Sequence, residues 1–134
     1  MAQKTFKADK NVLYDVISFV EQELESHNCN MKVQMMISVM VEEIFINIAS
    51  YAYEGEDGVA DITLDFNNDD VKITFVDSGI EFNPLAKEDP DITLSAEERD
   101  IGGLGIYMVK QTMDEVIYER KDNKNILSIR KKIH

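Results

Sequence analysis

Apolar side chains recur at three- and four-residue steps through the second quarter of the chain, and this spacing predicts one buried helix face. The stripe consists of Val33, Met36, Ile37, Met40, Val41, Ile44, Phe45 and Ile48. Asn30 can cap this second helix at its start. We expect the helix to end near Tyr53, because Gly55 and Gly58 follow.

A similar repeat predicts an earlier helix, from about Asn11 to Ser26. Its buried face is expected to hold Leu13, Val16, Ile17, Val20 and Leu24. Asp9 or Asn11 can cap it, since both side chains accept hydrogen bonds from free backbone N–H groups. Residues from about 3 to 8 fit a short first strand.

Alternation of apolar and polar residues predicts two antiparallel hairpins later in the chain. The strands are expected at 61–66, 71–75, 115–120 and 126–131, with turns at 67–70 and 122–125. Residues 83–101 have no clean period and hold two prolines and many acids, which indicates either disorder or a functional lid. The stretch Gly102 to Gly105 leads into a short predicted helix, which holds Ile106, Met108, Val109, Thr112 and Met113. These elements predict an α+β fold, a two-layer α/β sandwich whose mixed, mainly antiparallel sheet is covered on one face by about three helices.

Length, charge and cysteine content indicate how many domains the chain forms, which partners are excluded and where the protein is located. The 134 residues suit a single domain spanning 1–134. The formal net charge of −12 argues against a direct nucleic-acid partner and against an anionic membrane surface, which both need basic residues. No apolar run approaches the length of a membrane span, and the first residues lack the apolar core of a secretory signal. The single Cys29 cannot form an internal disulfide, so we expect a cytoplasmic location.

Two polar residues, Glu43 and Asn47, lie four positions apart within the second helix, on one rim of its apolar stripe. Glu42 falls on the other rim. A carboxylate and a carboxamide at such a rim can point into a cleft, although polar pairs at this spacing are also ordinary helix neighbours. Asn is only a middling helix former, so its position in the middle of a helix calls for a reason.

Two glycine-containing motifs follow the helix. The sequence Asp-Ser-Gly at 77–79 comes directly after a buried strand, so it either places a carboxylate at the lip of a cleft or forms an ordinary turn. The sequence Gly-Gly-Leu-Gly at 102–105 opens a helix, where free N–H groups suit a phosphate, or it allows a close helix contact. It is not a Walker A loop, because no Lys-Ser/Thr follows, and it lacks the spacing of a dinucleotide-binding loop.

The three motifs occur in a fixed order, about 30 and about 25 residues apart. The set resembles the N box and the two glycine boxes of the GHKL (Bergerat) ATP-binding superfamily, shared by gyrase, histidine kinases and MutL. Within it, the chain resembles the small stand-alone anti-sigma-factor serine/threonine kinases of the RsbW and SpoIIAB type. The stretches VEEIFINIASYAY, DSGIEFNP and GGLGIYMVKQTMDEVIYER carry the resemblance, which covers nearly the whole chain.

The resemblance implies a role for each motif residue. Glu43 would be the general base, and Asn47 would bind Mg²⁺ through its side-chain oxygen. Asp77 would accept a hydrogen bond from the adenine amino group of ATP or ADP, and Gly79 would line the adenine pocket. The residues assigned to the nucleotide phosphates are Gly102, Gly103, Leu104 and Gly105.

One arginine is expected near the nucleotide site, and two features of the chain differ from the family pattern. Arg99 is the only Arg expected near it, since Arg120 and Arg130 belong to the last hairpin. Arg99 can pair with phosphate or with a neighbouring acid such as Glu97. Family kinases commonly carry His where Tyr51 stands, and they tend to have Arg in the first helix, which here has none. That helix is implicated in partner contacts, so the departure concerns the usual partner rather than the nucleotide site.

The resemblance implies a function in partner switching. The protein would phosphorylate an anti-anti-sigma (STAS-domain) protein, hold a sigma factor when free, work alongside a PP2C phosphatase and form a homodimer. The alternative is a nucleotide-dependent protein-binding module with little or no kinase activity. A sensor histidine kinase fragment is disfavoured, because no dimerisation helix with a phosphoacceptor His is present; His27 is expected in a loop and His134 is terminal.

Overall fold

Five strands form one sheet, and helices pack on one of its faces. Residues 1–86 and 103–134 are described by the computed structural model of the protein. The strands are β1 (Ala2–Lys7), β2 (Val59–Asn67), β3 (Asp70–Asp77), β4 (Glu115–Lys121) and β5 (Lys124–Lys132). The helices are α1 (Leu13–Ser26), α2 (Met31–Tyr51) and α3 (Gly103–Thr112), with 3-10 turns at Lys10–Val12 and Pro84–Ala86.

The strand order is β1-β2-β3-β5-β4, and each described pairing is antiparallel. This confirms the α+β two-layer fold but corrects one detail, since a mixed sheet was predicted and the described strands form no parallel pair. The connections explain the difference. Two helices, α1 and α2, return the chain to the end where β1 finished, so β2 runs antiparallel to it. Strands β3 and β4, which α3 connects, run in the same direction. They do not pair with each other, because β5 lies between them and is antiparallel to both.

The core lies between the helices and one face of the sheet. Along β3, Val71, Ile73 and Phe75 are buried whereas Lys72 is exposed, so the alternation predicted from sequence is confirmed. The predicted stripe of α2 is buried except for Val33 and Met36, which pack partly exposed at its edge. Burial of this stripe against the sheet supplies the main stabilisation of the fold.

Helix α2 begins where the sequence predicts a cap. The Asn30 side chain accepts hydrogen bonds from the backbone N–H groups of Lys32 and Val33, at 2.9 Å and 3.4 Å. The helix ends at Tyr51, slightly before the predicted end. The chain then turns away through Gly55, whose positive φ of 87° suits glycine.

Helix α2 is long and apolar enough to cross a membrane, judged by length and composition, and it is the one such helix among the described residues. This differs from the expectation that no segment would meet that test. The core helix of a globular fold meets it equally well. Here the apolar stripe of α2 packs into the core described above.

The last hairpin turns more tightly than its sequence predicts. Asp122 and Asn123 both adopt left-handed backbone angles, with φ of 53° and 61°, so two residues alone connect β4 to β5. Strand β5 therefore starts at Lys124 rather than near 126, and Asn125 becomes a strand residue. In the sheet register Asn125 lies directly opposite Asp77 of β3.

Candidate functional site

A cleft opens between the C-terminal half of α2 and the ends of the central strands. It encloses about 410 Å³ of space between the side chains, part of it open to solvent. Twelve residues line it: Ile44, Asn47, Ile48, Tyr51, Ala52, Phe75, Asp77, Phe82, Pro84, Tyr118, Asn125 and Leu127. Two predicted site residues, Asn47 and Asp77, thus meet in one pocket although they come from different motifs.

Glu43 lies one helical turn before Asn47 on α2 and is half-buried, but it does not line the cleft itself. Neither side chain makes a hydrogen bond or ion pair with another residue in the described parts of the chain. Both groups are therefore available for a ligand, with Asn47 in the cleft lining and Glu43 one helical turn earlier on α2. This arrangement is compatible with the predicted base and metal ligand, while their roles stay predictions.

Asp77 is 5% exposed and sits at the end of β3, inside the cleft. Its Oδ1 accepts hydrogen bonds from the backbone N–H of Gly79 and from Nδ2 of Asn125, each at 2.9 Å. Among the described groups, Oδ2 accepts no hydrogen bond. A buried carboxylate with one oxygen held and the other free suits a ligand that donates a hydrogen bond.

Gly79 packs directly against the residue that follows α2. A Cβ atom at this position would lie 2.6 Å from the Cβ of Ala52 and even closer to the Ala52 carbonyl group. The backbone N–H of Ile80 donates to that same carbonyl at 2.8 Å. Gly79 is therefore required for close contact between the loop after β3 and the end of α2, a structural role beyond the expected one of lining the adenine pocket.

Three residues that sequence reasoning did not assign to the site hold the loop 78–82. Asn125 donates to Ile80 O at 2.7 Å and accepts from Phe82 N–H at 3.3 Å. Arg120 donates to Gly79 O at 2.9 Å. The third is Tyr53, considered next.

Arg120 requires a correction, because Arg99 was expected to be the only Arg near the site. The hairpin of β4 and β5 folds back along β3, which brings Arg120 to the loop after Asp77.

Tyr53 holds the loop from the side of α2. Its hydroxyl accepts a hydrogen bond from Ser78 N–H at 2.9 Å and donates to Val59 O. The loop is thus fixed from two sides before any ligand binds.

The glycine-rich motif lies partly outside the described residues. Helix α3 begins at Gly103, so Gly103, Leu104 and Gly105 form its first turn rather than a loop before it. The N–H groups of a first helical turn have no partner within the helix and can face an anion. Gly102, Arg99 and the predicted lid at about 85–101 lie outside the described residues, apart from 85 and 86 in the 3-10 turn.

Aromatic and aliphatic side chains form the walls of the cleft. Phe75 and Ile44 are almost fully buried beneath it, at 1% exposure each. The Tyr51 ring lies 6.4 Å from the Phe82 ring, tilted by 34°. Tyr51, where family kinases commonly carry His, is therefore part of the cleft wall and presents a planar surface to a flat ligand.

The described residues contain no cluster of three or more His, Cys, Asp or Glu side chains able to hold a metal by themselves. Mg²⁺ is usually bound by one or two protein oxygens together with substrate phosphates and water. The side-chain oxygen of Asn47, which lines the cleft, fits that kind of site. The donor set is therefore suited to a magnesium ion that arrives with a nucleotide rather than one held permanently.

Comparison with known proteins identifies the family. A family model described as the histidine kinase-like ATPase domain matches residues 6–131, and the chain belongs to this family. The serine/threonine-protein kinase BtrW of Bordetella bronchiseptica is 23% identical over 99 residues, which cover 73% of this chain and 70% of BtrW. Membership of an ATPase-domain family implies an ATP-binding site, and it supports the GHKL resemblance drawn from the motifs.

Solved structures share the fold. The catalytic domain of the histidine kinase ThkA, in a nucleotide-free form, has a TM-score of 0.55 at 14% identity and covers 99% of this chain and 98% of that one. The histidine kinase domain of a blue-light activated kinase from Erythrobacter litoralis has a TM-score of 0.50 at 16% identity and covers 73% of this chain. This chain spans only 43% of that second structure. At these identities the likeness establishes the fold alone.

Proposed function

We propose that the protein is an ATP-dependent serine/threonine protein kinase that acts as an anti-sigma regulatory factor. The observation that carries the proposal is the joint location of Asn47 and the buried acceptor Asp77 in one cleft, with Glu43 one helical turn before Asn47 on α2. The similarity to BtrW supports the choice of serine or threonine as the acceptor.

Each group has a distinct task in this proposal. Asp77 Oδ2 accepts a hydrogen bond from the adenine 6-amino group, and the apolar walls exclude water from the base. The N–H groups at the start of α3 face the phosphates. The Asn47 side-chain oxygen would hold Mg²⁺, which would neutralise charge on the phosphates.

The transfer step needs one proton acceptor. Glu43 takes the proton from the serine or threonine hydroxyl as its oxygen attacks the γ-phosphorus of ATP. The bond from the γ-phosphorus to the bridging oxygen breaks, and ADP leaves with that oxygen. Since phosphoryl transfer depends mainly on positioning and charge neutralisation, these few groups suffice.

The proposed partners are a STAS-domain anti-anti-sigma protein as substrate, a sigma factor bound when the kinase is free, and a PP2C phosphatase that reverses the phosphorylation. A homodimer is the proposed assembly. These partners rest on the resemblance of the motifs to RsbW and SpoIIAB.

A phosphotransfer assay tests the function directly. The protein is mixed with γ-labelled ATP, Mg²⁺ and each STAS-domain protein of its organism, and label on serine or threonine is measured. We expect one STAS protein to be labelled. Binding of a STAS protein that depends on ATP, with no labelling of any of them, would instead establish the nucleotide-dependent binding module.

Replacing Asp77 with Asn should weaken ADP binding about tenfold or more, because a carboxamide is a poorer acceptor and can present its NH₂ group to the adenine amino group. Isothermal calorimetry with Mg²⁺-ADP measures the effect. The Asp65→Asn variant changes the same side chain on strand β2 outside the cleft and serves as the control. Equal affinities of wild type and Asp77→Asn would remove Asp77 from the site.

Replacing Asn47 with Ala should abolish most of the advantage that Mg²⁺ gives to nucleotide binding, because the change deletes the proposed metal ligand. ATP affinity should be measured with Mg²⁺ and with EDTA for both proteins. We expect wild type to bind more tightly with Mg²⁺, whereas the variant should bind similarly in both conditions. A variant that keeps the full magnesium effect would show that another residue holds the ion.

A further inference from the structure

The side chain of Asn125 has every hydrogen-bonding position occupied. Its Nδ2 donates to Asp77 Oδ1 at 2.9 Å and to Ile80 O at 2.7 Å. Its Oδ1 accepts from Phe82 N–H at 3.3 Å and from the Tyr118 hydroxyl at 2.5 Å. Two donors and two acceptor positions are the full capacity of a carboxamide. Asn125 is also 6% exposed, so water cannot readily replace these partners.

The surrounding groups determine which way the carboxamide points. A backbone N–H can only donate, so the atom facing Phe82 N–H must be the oxygen. The NH₂ group is then directed at Asp77 and at the carbonyl of Ile80. Burial, together with the nearby negative charge of Glu81, raises the pKa of Tyr118, which keeps its hydroxyl protonated as a donor.

This orientation has a consequence for Asp77. Because Nδ2 of Asn125 and the N–H of Gly79 both donate to Oδ1, the carboxylate is kept as an acceptor with a fixed direction. Its Oδ2 takes no bond within the described ranges and lies at the cleft. A ligand atom that donates a hydrogen bond is favoured there, and one that accepts is repelled.

We propose that Asn125, oriented by Tyr118, is the positioning residue that makes the cleft select a 6-amino purine over a 6-oxo purine. It acts through Asp77 and does not itself contact the base. The inference rests on the adenine-nucleotide binding proposed above and adds the source of its selectivity. Adenine carries an amino donor at position 6, whereas hypoxanthine carries a carbonyl oxygen that would face the fixed acceptor.

The location of Asn125 in the sheet supports a role in positioning. Asp77, Asn125 and Arg120 lie in one row across β3, β5 and β4. Asn125 fixes Asp77, while Arg120 holds the next part of the loop through Gly79 O. The hairpin of β4 and β5 therefore acts as a rigid support for the ligand-binding carboxylate.

Two substitutions with nearly the same shape separate selectivity from stability. Asn125→Thr and Asn125→Val both remove the bonds to Ile80 and Phe82, and both residues suit a strand. Only Thr retains a side-chain donor at this position, with its hydroxyl one bond nearer the backbone than Nδ2 of Asn125. Dissociation constants for ADP and inosine diphosphate, which differ at position 6, should be measured by calorimetry, and thermal unfolding should be recorded for each protein.

We expect wild type to prefer ADP. The Val variant should lose about tenfold of the ADP/inosine diphosphate preference, whereas the Thr variant, which keeps a donor, should lose less than the Val variant. Both variants should unfold at similar, lowered temperatures. If the Val variant binds ADP with the wild-type preference, Asn125 is a structural residue only and the inference fails.

A milder variant covers the case in which the changes at 125 prevent folding. Tyr118→Phe removes one donor to Asn125 Oδ1 and leaves the amide in place, and we expect about a threefold lower preference for ADP. An unchanged preference in this variant would overturn the inference. If wild type binds neither nucleotide, the proposed function itself fails, which is a different result from unaltered selectivity in the variants.

Discussion

Replacing Glu43 with Gln should lower the rate of phosphoryl transfer by about 10²–10⁴-fold while leaving ATP affinity close to that of wild type. Gln keeps the size and polarity of the side chain but cannot accept the proton of the attacking hydroxyl. Single-turnover transfer of label to the STAS-domain substrate measures the rate, and calorimetry measures the affinity. The combination distinguishes a lost base from a damaged pocket.

The neighbouring Glu42 provides a matched control. It is half-buried on the same helix, but one residue of helix rotation, about 100°, turns it away from the side that carries Glu43 and Asn47. Glu42→Gln should therefore leave both rate and affinity nearly unchanged. If Glu42 proves essential and Glu43 does not, the assignment of the general base is wrong.

Replacing Gly79 with Ala should destabilise the fold and weaken ADP binding together. The added Cβ would overlap the backbone of Ala52, which cannot move aside without displacing the end of α2. Overpacking of this kind costs about 1–3 kcal/mol of the free energy of unfolding. Because the loop 78–82 also contributes Phe82 to the wall of the cleft, we expect ADP affinity to fall at least about tenfold. Urea unfolding and calorimetry give the two quantities.

Ser78→Ala is the control for this change. Ser78 is the adjacent, exposed residue, and its backbone N–H rather than its hydroxyl makes the hydrogen bond to Tyr53. Its replacement should alter neither stability nor affinity by a measurable amount. A Gly79→Ala protein with wild-type stability would mean that the contact with Ala52 relaxes without cost.

Much of the fold could be predicted because its signals are local. The cap at Asn30, the apolar stripe of α2 and the alternation along β3 each depend on residues a few positions apart. The bounds were less accurate where a turn departed from the expected type. Two left-handed residues at 122 and 123 shortened the last turn and moved Asn125 from the turn into β5.

The candidate site was predicted in part. Asn47 and Asp77 could be selected because each belongs to a recognisable motif, and the structure brings both to one cleft. Asn125 was missed because it ends the sequence Asp-Asn-Lys-Asn at 122–125, which is typical of a turn. One signal was available: Asn125 alternates with Leu127 and Ile129, which are buried, so the same strand face continues to it.

The sequence by itself determined the helices, the hairpins and the polar motifs, since these follow from the spacing of neighbouring residues and from backbone capping. Only the tertiary structure decided what surrounds Asp77. The bond from Asn125 to Asp77 joins residues 48 positions apart, and the bond from Arg120 to Gly79 joins residues 41 apart. Such contacts depend on the order in which strands enter the sheet. In this protein β5 lies between β3 and β4 rather than at the edge of the sheet, and this order brings the hairpin of β4 and β5 to the cleft.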